Sequence, residues 1–166
     1  MKLPTPLAEA LNRQIGLELE SSLTYLQMAA YFESRSLTGF AHWMRLQSEE
    51  ERSHALKFFD YVLDRGAEVR LGSVDAPRAD FASPAEVFAA ALEQERQVSE
   101  AIRELHRLAS ETGDAASFGL LQWFLEEQVE EESTVERILE RLEMAGEDRG
   151  ALLILDRELA SRVSST

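Results

Sequence analysis

Four glutamates interrupt apolar helical stripes, one to a stripe and each near the middle of its segment: Glu18, Glu51, Glu95 and Glu131. No other feature restricts the fold of this chain as much. A carboxylate on the buried face of a helix is costly unless it is paired or bound to a cation. Four of them at one level of a bundle repel one another strongly. Only a multivalent metal site makes such an arrangement reasonable.

The stripes define four long segments. The first opens at Thr5-Pro6, read as a Thr cap followed by Pro at the first helical position. Its apolar face runs Leu7, Leu11, Ile15, Glu18, Ser22, Tyr25, Ala29 and Phe32, in steps of three or four. After a turn around Ser34 to Gly39, a second face carries Phe40, Met44, Glu51, Ala55, Phe58 and Val62 and ends near Gly66. Ser83-Pro84-Ala85-Glu86 reads as a capping box that opens a third helix, which reaches Thr112-Gly113. Asp114 is expected to cap a fourth helix ending around Gly146. A short fifth helix is expected over about 149–162, with Leu152, Leu155 and Leu159 on one face. That stripe has no obvious place in a four-helix core and is expected to pack against symmetry-related copies.

Residues 66–83 differ in kind. Gly66, Gly72, Asp75, Pro77 and Ser83 exclude a regular helix, and the stretch is too long for a hairpin turn. Helices of roughly 30 residues are about 45 Å long. A connection of this size spans that length at up to ~3.4 Å per residue. The expected fold is therefore all-α, a single domain over 1–166: a four-helix bundle over about 6–146 with one long crossover between helices two and three, plus the short C-terminal helix.

Helical phase decides which acids point inward. At ~100° per residue, Phe88, Ala91, Ile102 and Ala109 lie within ~40° of Glu95, whereas Glu93 lies ~160° away. On the fourth helix, Phe124, Val135, Ile138 and Leu142 group around Glu131, with Gln128 beside them and Glu127 at the edge. Glu130 lies farther round. His54 stands three residues after Glu51, so both can serve one metal or two adjacent ones. Hard carboxylates with one imidazole suit iron. His106 shares the face of Glu95 but lies ~16 Å along the axis, too far for the same metal. His42 falls on the side opposite Glu51 and is expected to be exposed.

Composition narrows the partners. Seventeen basic residues against 31 acidic give a net charge of −14, which disfavours nucleic acid and anionic membranes and favours cations. The chain has no cysteine, which excludes thiolate metal sites and disulfides. Met1 to Ala10 holds no apolar core of signal-peptide length and no run approaches a membrane span, so the cytoplasm is the expected location.

Over nearly its full length the chain resembles a bacterial non-haem ferritin. The matching stretches are Leu17-Glu18-Leu19-Glu20-Ser21-Ser22 with Tyr25, Glu50-Glu51-Arg52-Ser53-His54, and Phe59-Asp60-Tyr61. On the fourth helix they are Gln122-Trp123-Phe124-Leu125-Glu126-Glu127-Gln128 and Glu130-Glu131. The resemblance implies a ferritin-like bundle and an intra-subunit di-iron ferroxidase centre. In it, Glu18 and His54 hold the first iron, Glu51 bridges, and Glu95 and Glu131 hold the second. Gln128 orients the site, and Tyr25 is a hydrogen-bond partner and electron donor. A third iron site maps onto Glu50, Glu127, Glu130 and Glu131. Haem is not expected, because bacterioferritins bind it through a methionine after the bridging glutamate, where this chain has Arg52.

The function so implied is iron storage. Fe(II) is oxidised by dioxygen or peroxide and kept as a ferric oxyhydroxide inside a hollow homo-oligomeric cage, of 24 subunits in that family. Two other readings share the pattern. A di-iron peroxidase or oxygenase uses the same carboxylates, but the lack of cysteine removes a rubredoxin-type electron donor. A non-catalytic shell subunit would bind iron without oxidising it.

Overall fold

The computed structural model describes residues 1–165, which form five α-helices and no strand. They are α1 (Thr5–Glu33), α2 (Thr38–Asp64), α3 (Pro84–Glu111), α4 (Phe118–Ala145) and α5 (Arg149–Leu159). At the start of α1 the expected cap is displaced by one residue. Thr5 is already helical and Pro4 stands at the cap without a side-chain hydrogen bond. The carbonyl of Pro4 accepts the first helical bond, from Ala8 N at 2.9 Å. Ser83 does cap α3, its Oγ accepting from Glu86 N at 3.1 Å, while the Glu86 carboxylate accepts from the N–H of Ala82.

Asp114 does not cap α4. Its carboxylate takes both terminal nitrogens of Arg65, at 2.6 and 3.1 Å, and the Ser117 hydroxyl. A forked guanidinium outcompetes backbone N–H groups for a carboxylate, and the helix is entered instead through a 3-10 turn, Ala115–Ser117. The hydrogen bonds from Arg65 hold the Asp114 carboxyl below its usual range. This pair fastens the end of α2 to the α3–α4 turn. Gly66, just past α2, takes φ +69, a backbone that an L side chain disfavours.

Cross-helix contacts give the directions. Leu3 N meets Arg65 O at 3.3 Å and Ser22 meets Ser48 twice at 2.7 Å, so α1 and α2 run antiparallel. Gln128 reaches Glu95 and His106 stacks on Phe118, so α3 and α4 do too. Gln47 bonds Glu131 and Phe58 stacks on Phe124, which sets α2 against α4 and leaves α2 parallel to α3. The crossover is therefore real. It lies along α1, where Asn12 donates to Glu68 O at 3.0 Å and accepts from Arg70 N at 2.6 Å.

The core divides into two apolar blocks. One contains Phe32 stacked on Phe40 at 4.8 Å, with Phe88 and Trp43 beside them. The other is built on Phe58 and Phe124, stacked at 4.0 Å, with Leu7, Leu11 and Ile15. Between them lies a polar layer holding the four glutamates.

The fifth helix corrects an expectation. Leu155 and Leu159 are buried in the first block of their own subunit, with Leu152 packed against it. Asp148 caps α5, accepting from Gly150 N at 2.8 Å and Ala151 N at 3.1 Å. Its seat depends on Gly39, where an added Cβ would lie 1.7 Å from the carbonyl oxygen of Asp156. The Asp156 carboxylate also accepts from Phe40 N at 2.9 Å, near the start of α2. The bundle's open end offered apolar surface that the stripe covers locally. Among the described residues no helix is long and apolar enough to cross a membrane.

Candidate metal centre

Each long helix brings one glutamate into the polar layer because its apolar stripe carries that position inward. Glu18 is 0% exposed, Glu51 and Glu95 1%, and Glu131 7%, with His54 at 3%. Among the described residues no Lys or Arg pairs with any of the four carboxylates. What remains are amide and hydroxyl donors. Gln14 donates to Glu18 Oε1 at 2.8 Å. Gln47 donates to Glu51 Oε1 at 3.1 Å and to Glu131 Oε2 at 2.8 Å. The Tyr25 hydroxyl donates to Glu95 Oε1, and Gln128 Nε2 donates to Glu95 Oε2 at 3.2 Å.

These donors leave the facing atoms bare. Glu18 Oε2, Glu51 Oε2 and His54 Nδ1 are buried without any hydrogen-bond partner. Such orphans are rare in the interior of a folded protein and point to a ligand. His54 Nδ1 lies 3.5 Å from Glu51 Oε2, and its Nε2 lies 4.0 Å from Glu127 Oε2. The ring is held edge-on by Trp123 and Phe124, at 5.7 and 5.5 Å between centroids.

Three groups of donors come close enough to hold an ion. They are Glu18/Glu51/His54, Glu51/Glu95/Glu131 and Glu50/His54/Glu127/Glu131, each with one ligand atom per residue within 4.8 Å of the others. The first two share Glu51. The third opens to solvent in a cleft of about 780 Å³ between α2 and α4. Glu130 lines that cleft and is exposed, but it stands outside the third group. His54 takes a place in that group instead.

Burial and mutual repulsion reshape the acidities. Desolvation, then the charge of Glu51, pushes the Glu18 carboxyl far above its ordinary range. Desolvation also raises Glu95, to about 8, with Glu51 adding to it and the Tyr25 and Gln128 hydrogen bonds opposing it. Glu131 is raised by burial and by Glu95 and Glu51. Burial and the nearby carboxylates likewise push the Tyr25 phenol well up, so it stays a donor. Glu127, nearer the surface, is raised by desolvation. A polyvalent cation reverses these penalties by supplying the missing positive charge.

Gln14 and Gln47 were not among the sequence-derived candidates, although the signal exists. Each stands four residues before a site glutamate on the same helix, where side chains are neighbours. Ser99, bonded to Gln128 Nε2 at 3.2 Å, completes the support of that amide. His106 stacks on Phe118 at 5.2 Å, away from the site. His42 is half-buried rather than exposed, because its Nε2 meets the carbonyl of Arg162 at 2.8 Å.

Comparisons with known proteins bear on the family and the fold. Residues 8–145 match the ferritin family's sequence profile, described as a ferritin-like domain. The chain is 41% identical over 160 residues to the bacterial non-heme ferritin of Staphylococcus epidermidis, covering 96% of both chains. It is 40% identical over 156 residues to that of Staphylococcus aureus, covering 94% of both. Among solved structures it superposes on an open-pore ferritin from the hyperthermophilic archaeon Archaeoglobus fulgidus. That match has a TM-score of 0.96 and 45% identity, covering 97% of this chain and 98% of the other. A closed form of the same ferritin, made by site-directed mutagenesis, gives a TM-score of 0.97 at 44% identity, covering 99% of this chain and 100% of the other. With the profile, the near-complete relatives and the superposed bundles in agreement, the chain belongs to the ferritin family.

Proposed function

We propose that the chain is a subunit of an iron-storage ferroxidase of the cytoplasm, with residues 1–166 acting as one domain. In this reading it oxidises Fe(II) with dioxygen or peroxide at a di-iron centre inside one bundle. The Fe(III) is then stored as a ferric oxyhydroxide within a hollow cage of identical subunits. One observation carries the reading: Glu51 belongs to two of the three donor groups, so a single carboxylate joins two neighbouring cation positions.

That sharing suits the chemistry. Each Fe(II) gives up one electron, and dioxygen takes both with two protons to become hydrogen peroxide. The two Fe(III) hydrolyse to the oxyhydroxide and release further protons. Ions held side by side deliver both electrons together. Glu18 and His54 hold the first iron, Glu95 and Glu131 the second, and Glu51 bridges. Tyr25 and Gln128 fix Glu95, one on each carboxylate oxygen. Tyr25 is also the electron donor that the family resemblance implies. Glu50, Glu127 and Glu131 take a further iron, with Glu130 beside them on the wall of the cleft between α2 and α4, which is its route from solvent.

The raised acidities add a coupling. With Glu18, Glu95 and Glu131 holding protons more tightly than ordinary carboxyls, iron enters by displacing protons. Anaerobic titration with Fe(II), followed by stopped-flow mixing with dioxygen, tests the whole proposal. Two irons per subunit are expected to bind tightly, with proton release, and to oxidise together. Substoichiometric binding with no oxidation would make the chain a non-catalytic shell subunit.

A further inference from the structure

The stretch after α5 has no apolar period, yet Arg162 is only 20% exposed. Three contacts hold it. Its Nη2 lies 2.7 Å from Glu50 Oε2, its Nη1 donates to the Trp43 carbonyl at 3.2 Å, and its guanidinium lies 4.5 Å from the centre of the Trp43 ring. The carbonyl of Arg162 in turn faces His42 Nε2 at 2.8 Å. The tail is thereby tied along two turns of α2, and Ser164 and Ser165 continue along the same cleft.

Glu50 is also a donor of the outer group, with His54, Glu127 and Glu131. Its carboxylate already has a cation, and that cation belongs to the chain. We propose that Arg162 is a built-in competitor for the outer metal position, so that a metal ion bound there draws Glu50 off the guanidinium and frees the tail. The inference rests on reading the outer group as a cation site. Its physical basis is charge: a guanidinium bonded to one ligand repels a divalent ion on the other three. Because binding free energies are reciprocal, whatever holds the tail weakens the outer metal, and the metal loosens the tail by the same factor. The inner pair shares His54 and Glu131 with the outer group but does not use Glu50, and the guanidinium bonds neither shared ligand, so its effect falls on the outer position. The tail therefore makes the outer position the last to fill.

Zn(II), which is redox-inert, separates this from oxidation. Calorimetric titration of metal-free full-length protein is expected to resolve tight inner binding and a weaker outer class. Arg162→Gln removes the charge and is expected to tighten only the outer class, by about tenfold. Arg162→Lys keeps the charge and should stay near the parent. Hydrogen–deuterium exchange of the peptide covering residues 160–165 should rise when the parent is loaded with Zn(II), and should not respond in Glu50→Gln. An outer class that is unchanged or weaker in Arg162→Gln overturns the competition, since Arg162 would then be idle or would orient Glu50 for the metal. Slower tail exchange on loading overturns it as well. Absence of any outer class, in parent and variant alike, removes the outer-site reading and this inference with it.

Discussion

Glu51 is the residue on which both inner donor groups depend. Glu51→Ala or His54→Ala is expected to slow iron oxidation by about 100-fold or more while the helical fold persists. Removing one carboxylate from a repelling cluster relieves the metal-free protein. Apo Glu51→Ala should therefore melt no lower than the parent, and marked unfolding in a thermal scan would identify Glu51 as structural. Glu130, exposed and outside the inner groups, should behave differently. Glu130→Ala is expected to keep the initial oxidation of two irons and to alter the iron-to-dioxygen ratio, which oxygen-electrode stoichiometry would reveal. Acidity gives a third handle. Burial raises the Glu95 carboxyl to about 8 in the fold, from an ordinary 4.5. Between those values the folded state holds a proton that the unfolded chain has lost, so stability falls as pH rises. One such group contributes at most about 1.4 kcal/mol per pH unit. The melting temperature of the metal-free protein should therefore drop from pH 5 to pH 8. Glu95→Gln should flatten that slope, and an unchanged slope would assign it to Glu18 or Glu131.

At the scale of elements, the contact between α5 and the start of α2 is the sharpest test. The Cβ of Gly39→Ala would collide with the Asp156 carbonyl, a backbone atom that cannot rotate away. Overpacking of this kind costs about 1–3 kcal/mol. For a domain of this size that lowers the melting temperature by about 2–4 °C per kcal/mol. Lifting α5 also uncovers Leu155 and Leu159. Differential scanning calorimetry should show the loss together with increased dye binding to exposed apolar surface. A fully parent-like melt would mean that α5 slides along the bundle at little cost. The glutamate layer lies beyond this block, so inner Zn(II) binding by Gly39→Ala should stay close to that of the parent.

The whole molecule poses the question of assembly. A single bundle contains the inner site but encloses no volume in which mineral could be stored. Scattering or electron microscopy of the full-length protein is expected to show hollow spheres. A clean monomer or dimer at micromolar concentration would sink the storage reading while leaving oxidation possible. Deleting residues 148–166 should now do two things. It removes α5 from its own subunit's core, lowering subunit stability, and, if the weakened subunits no longer close a shell, oxidised iron precipitates instead of staying soluble. The deletion also removes Arg162, so outer Zn(II) binding should tighten in any folded fraction.

Periodicity alone revealed the four helices, the inward phase of Glu18, Glu51, Glu95 and Glu131, and the crossover, because each is a local pattern or a length. Glu-x-x-His and Gln-x-x-Glu spacings revealed His54 and Gln128 for the same reason: three residues along a helix are neighbours whatever the fold. Gln14 and Gln47 were legible at spacing four but carried no weight until burial showed that these amides face carboxylates. Other features had no sequence signal. Asp114 sits where a helix cap belongs, and only folding brings the Arg65 fork within 2.6 Å of it. Leu155 and Leu159 form a stripe whose partner, their own bundle or a neighbour, is decided by where apolar surface stays open after the four long helices pack. Arg162 reaches Glu50 across 112 residues, a contact set by the path of the chain and by no repeat. Short-range chemistry is written in the order of residues. Long-range pairing of charges is settled only when tertiary packing decides which of many acids a given cation can reach.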